Sequence, residues 1–91
     1  MPEKGYTAAK GNLLERITSV AADADEAAFL GDKQEEKEFL KKLRRLEVQA
    51  HKMGISDELV NQASLRGSLK TAIEEGLKKD EDFYRELLRL H

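Results

Sequence analysis

With 91 residues and no cysteine, the chain has room for one modest hydrophobic core and no thiols for a disulfide or a thiolate metal site. Its charged fraction is 37 % but its net charge only −2, so the total indicates neither a polyanion-binding protein nor a nucleic-acid mimic. No apolar run approaches the roughly 20 residues that span a bilayer, and the first residues lack the basic-then-apolar layout of a signal peptide; a cytoplasmic location off the membrane is the expectation.

A single proline, Pro2, and a Leu, Ala, Glu and Lys-rich composition favour helices over strands, and no segment alternates with period two. Residues 1–6 offer nothing to bury and are expected to form a flexible tail. Thr7 can cap a first helix over 8–30, with Asn12 as a later alternative because Gly11 weakens the first turn. Leu13, Ile17, Val20, Ala24 and Ala27 then fall along one side of it. Gly31 suits a left-handed helix stop, and Asp32 can cap a second helix over 33–53, whose stripe is Phe39, Leu43, Leu46, Ala50 and Met53. The break is short, so the two helices should fold back as an antiparallel hairpin.

Gly54 ends that helix, Ile55 can pack back on it, and Ser56 with Asp57 and Glu58 opens a third helix over 57–75. Small residues form two rows in it, Ala63, Gly67, Thr71 and Ser64, Ser68, Ala72, which predicts another helix crossing at short distance. Gly76 breaks the chain again, and Asp80 is expected to cap a short C-terminal helix over 81–90. The fold class is all-α, a three- or four-helix bundle in a single domain over 1–91.

Catalytic chemistry finds little to work with. His51 and His91 have no carboxylate, serine or second histidine at a spacing that would assemble a site. The acidic run Asp23, Asp25, Glu26 has Ala28 where a calcium loop needs glycine, and no glycine-rich phosphate loop occurs. A non-enzyme without metal or cofactor is expected. The stretch 33–54 is the only net basic one, with seven basic and four acidic side chains. Its cluster Lys41, Lys42, Arg44 and Arg45 should flank the Leu43–Leu46 seam, partly neutralised by Glu38 and Glu47, as a solvated face rather than a nucleic-acid footprint. No aromatic residue interleaves with it to stack on bases.

Leftover apolar surface points to association instead. The hairpin seams are thin, with alanine at Ala24, Ala27 and Ala50, while the C-terminal segment carries Phe83, Tyr84, Leu87, Leu88 and Leu90. These five, with Leu65 and Leu69 beside them, are the expected contact stripe for a protein partner or a second copy, as in an adaptor, chaperone, assembly factor or inhibitor. The alternative is that they close the chain's own core.

Two resemblances offer other readings. Ala50, Met53, Gly54, Ile55, Val60 and Ala63 stand where a helix-turn-helix has its small, glycine and apolar positions, so the corner at 46–65 resembles that motif, with Gln49 departing from it. The resemblance implies DNA binding, with Asn61, Gln62, Ser64 and Arg66 offered to base edges. Asp57, Glu58 and the negative stretch 55–91 oppose a phosphate there. Separately, Thr71-Ala-Ile-Glu-Glu75-Gly76 resembles the inhibitory motif of antitoxins that block Fic-type AMP transferases, where the glutamate, here Glu75, pairs with an arginine of the enzyme.

Overall fold

The computed structural model describes the backbone of residues 2–90 and the side chains of residues 8–90. Four helices follow in order: α1 (Pro2–Phe29), α2 (Lys33–Lys52), α3 (Asp57–Glu74) and α4 (Lys78–Arg89). The described residues form no strand, and none of these helices is long and apolar enough to cross a membrane.

Glycines with positive φ make the three breaks. At Gly31 (φ 76°) the chain leaves α1, and the Asp32 carboxylate accepts the Glu35 N–H at 3.0 Å to cap α2. At Gly54 (φ 77°) the chain turns so that the Ile55 N–H reaches back to Ala50 O at 3.0 Å and the Ile55 side chain is buried. Ser56 Oγ then accepts the Leu59 N–H at 3.3 Å and starts α3. At Gly76 (φ 68°) α3 stops, with the Leu77 N–H donating to Ala72 O at 2.8 Å.

Two starts differ from expectation. The first helix begins at Pro2 and takes in most of the expected tail, because a proline at the first helical position gives up only an N–H that has no intrahelical partner. Thr7 therefore stands inside the helix; its side chain, and with it the expected cap, lies outside the described side chains. Asn12 is likewise an exposed interior position. The last helix begins at Lys78, and Asp80 sits in its first turn instead of capping it. Leu77 holds the cap position with no side-chain hydrogen bond, so the start of α4 relies on the Glu81 N–H bonding Leu77 O at 2.8 Å.

The two apolar stripes meet as the spacing predicts. All five α1 positions are buried, Ile17 completely, and in α2 Leu43, Leu46 and Ala50 are buried with Phe39 and Met53 half-buried. The other side of α1 is taken by α3, which barely touches α2. The central helix is thus shared, and its neighbours lie on separate flanks.

The small-residue row of α3 explains how. Gly67 lies so close to α1 that a Cβ placed there would overlap the Thr18 carbonyl oxygen and come within 2.8 Å of Ala21 Cβ and of Ala22 N. Two hydroxyls tie the same contact to main chain. Thr18 Oγ1 donates to Ala63 O at 2.9 Å, with Leu14 O in its own helix 3.1 Å away, and Thr71 Oγ1 donates to Ala22 O at 2.9 Å. Residue numbers rise together along the contact, so α1 and α3 run in the same direction. The leucine-rich α4 comes near α3 alone and leaves the hairpin seam uncovered.

A methyl group at position 67 should therefore push the helices apart. Gly67→Ala is expected to cost about 2–3 kcal/mol in chemical denaturation. Gly11→Ala, where a Cβ meets nothing within 4 Å, is expected to gain up to about 1 kcal/mol from helix propensity.

Candidate interaction surfaces

The C-terminal stripe divides into two sides. Leu65 and Leu69 of α3 and Tyr84, Leu87 and Leu88 of α4 are half-buried, which is the α3–α4 contact. Phe83 and Leu90 instead face outward, 58 % and 73 % exposed, and Phe83 meets Tyr84 edge-on with ring centres 5.5 Å apart. Seven residues separate Phe83 from Leu90, so they share one side of the helix. No residue of α4 is fully buried, and its outer surface is held by exposed ion pairs: Lys78 with Glu81 and Asp82, Arg85 with Glu81, and Arg89 with Glu86. Such pairs add little stability each.

Where α4 leaves α1, an open groove remains, lined by Phe29, Leu77 and Tyr84 and by the polar groups of Asp25, Ser68 and Asp80. Beside this end of the bundle the parallel course of α1 and α3 brings two carboxyls together. Glu26 Oε2 is enclosed without a hydrogen-bond partner, since an ionised Glu75 can only accept. Protonated, Glu26 donates to Glu75; that bond, then burial, then the negative charges of Glu75 and Glu74 hold the Glu26 carboxyl above its usual range. Neither helix has a basic residue in its last turn to offset the negative end of its dipole.

The residues of the two motif resemblances differ in exposure and partners. Asn61 and Arg66 are exposed, Gln62 and Ser64 half-buried, and at 3.6 residues per turn the four positions point in different directions around α3. Thr71 is buried and bonded to α1, Glu75 faces Glu26, and Gly76 forms the helix stop. His51 does acquire a carboxylate neighbour, contrary to its spacing in sequence: its Nε2 lies 3.2 Å from Asp57 Oδ1 across the Gly54 turn, both well exposed. His91 lies outside the described residues. Among the described residues no three His, Asp or Glu side chains converge on a point that could hold a metal ion.

The basic cluster is arranged differently from expectation. Lys42 borders the α1–α2 cleft near Glu15 and Asp23, but Lys41, Arg44 and Arg45 gather with Val48 on the side of α2 away from its core stripe. Glu38 and Glu47 stand within one turn of these cations but make no direct ion pair with them. Glu38 accepts a hydrogen bond from Gln34 Nε2 at 3.5 Å, and among the described residues none of these four basic side chains forms an ion pair.

Comparison of the chain with protein-family models, curated proteins and solved structures found no match.

The carboxyl pair makes a signed prediction. A folded-state pKa raised above the ordinary 4.5 means that Glu26 contributes stability fully below about that pH and loses it as pH rises through the raised value. Glu26→Gln keeps a donor toward Glu75 at every pH. Its thermal midpoint should exceed that of the parent at neutral pH, and the gap should close as the buffer is taken below the ordinary carboxyl range.

Proposed function

We propose that the chain is a small, non-enzymatic helical interaction module that binds a protein partner through the outward side of α4, with the cytoplasm as its place of work. The observation that carries this reading is the pair Phe83 and Leu90, two large apolar side chains left in water on one side of a helix. Single exposed apolar residues are ordinary on protein surfaces, but an aromatic and a leucine in line, two turns apart, offer the anchors that a helix groove or a second helix needs. The weak hold on α4 supports the same reading. It lacks a side-chain cap and any fully buried residue, so an added partner would stabilise it as well as bind it.

Adaptors, chaperones, assembly factors and inhibitors all work through such a face, and a second copy of the chain is one form the partner can take. A photo-crosslinking residue at position 83, read by mass spectrometry in the source cell, identifies the occupant. Phe83→Asp with Leu90→Asp is expected to weaken the captured complex about tenfold or more while leaving the thermal midpoint unchanged, because both side chains are already exposed. Leu87→Asp, which enters the α3–α4 contact, is expected to destabilise the fold. A crosslink that fails to form, or exposed-site variants that bind as the parent does, would overturn the reading.

A further inference from the structure

The outward side of α2 is strongly basic along its length. At 3.6 residues per turn, Lys33, Lys37, Lys41, Arg44, Arg45 and Lys52 share the half of the helix opposite Leu43, Leu46 and Ala50. All six are exposed, and among the described residues none forms an ion pair. Of the acidic residues of the helix, Glu35, Glu36 and Glu47 fall toward the seam side, and Glu38 stands at the edge of the basic side next to Arg45. The helix has 20 residues, so the stripe is about 30 Å long and straight. The rest of the molecule leaves it uncovered: α2 packs on α1 along its other side and meets α3 only at the Gly54 corner.

We propose that this side of α2 docks on the phosphate backbone of duplex DNA, without reading its sequence. Six exposed cations against the single acid Glu38 on this side match a polyanion, and binding would release counterions from the duplex. Three features favour a duplex over other anionic surfaces. No Phe, Tyr or Trp stands on the stripe, and its one ring, His51, is placed beside Asp57, so single-stranded bases find little to stack upon. Its apolar members are only Leu40 and Val48, each 48 % exposed, too little apolar surface to enter a bilayer. Its charged donors are long, exposed lysine and arginine side chains spread along about five turns, a spacing that suits contacts to successive phosphates. The negative charge that makes the total −2 lies mostly elsewhere; Glu26, Glu74 and Glu75 sit on the α1–α3 side of the bundle. The contact is therefore orientation-specific, and independent of the α4 surface.

The test is fluorescence anisotropy with a labelled mixed-sequence duplex, on the full chain. Binding is expected at about 50 mM salt and should weaken roughly a hundredfold by about 200 mM if four of the six cations meet phosphates. Lys41→Glu with Arg44→Glu should abolish it at unchanged helix content. Lys37→Gln with Arg45→Gln should lower the slope of log affinity against log salt by about 2, a change that partial unfolding would not give. Asn61→Ala with Arg66→Ala at the α2–α3 corner should bind as the parent does. The proposal is overturned if the parent shows no salt-dependent binding at low salt, or if the charge-reversed α2 binds equally well. It is also overturned if the corner variant is the one that fails, or if single-stranded DNA or vesicles of anionic lipid bind more tightly than the duplex.

Discussion

The architecture depends on a side chain that is missing. Gly67 lets the backbone of α3 settle onto the backbone of α1, at a separation that a single methyl group would forbid. Close approach brings main-chain carbonyls within reach of side-chain hydroxyls, so Thr18 and Thr71 each bond across the contact to the opposite helix. Each such bond is worth about 1 kcal/mol net. More important is their direction: they fix the register in which α3 slides along α1, since a shift by one residue would bury a hydroxyl without a partner and drive a larger side chain into the crossing.

That register sets what the surface offers. Because α1 and α3 run in parallel, their negative ends and Glu26, Glu74 and Glu75 arrive together, and one carboxyl is pushed toward its protonated form. Because α3 occupies one flank of α1 and α2 the other, α2 keeps a complete outer half in water, and its cations collect there. Because α4 can rest only on α3, its far side stays open with Phe83 and Leu90. An acidic end, a basic helix and an apolar edge thus follow from one helix contact, and they occupy different parts of the molecule.

Much of this was legible in the residues. The heptad stripes, the caps Asp32 and Ser56, the three glycine stops and the small row Ala63, Gly67, Thr71 each carry a local reason that packing then satisfies. Both misplaced helix starts lie where local signals are weak: residues 1–6 offer nothing to bury, yet Pro2 suits a first turn, and Asp80 is a good cap that the chain passes over because Leu77 closes the Gly76 turn. The Glu26–Glu75 pair had no local sign at all, since it joins positions 49 apart in sequence by the α1–α3 register. The basic side of α2 is present in the spacing, while whether Glu38 and Glu47 pair directly with its cations depends on side-chain positions that spacing does not fix. For the C-terminal stripe, composition gave the apolar residues; only the packing of α4 on α3 separates Leu87 and Leu88 from Phe83 and Leu90.

The close crossing can be observed directly by isotope-edited NMR on the folded chain. The account predicts strong nuclear Overhauser contacts between the α-protons of Gly67 and the methyl group of Ala21, together with slow exchange of the Thr71 hydroxyl proton that is held by Ala22 O. With these resonances assigned, no contact from Gly67 to any residue of α1 would contradict it, and the shared central helix would have to be given up.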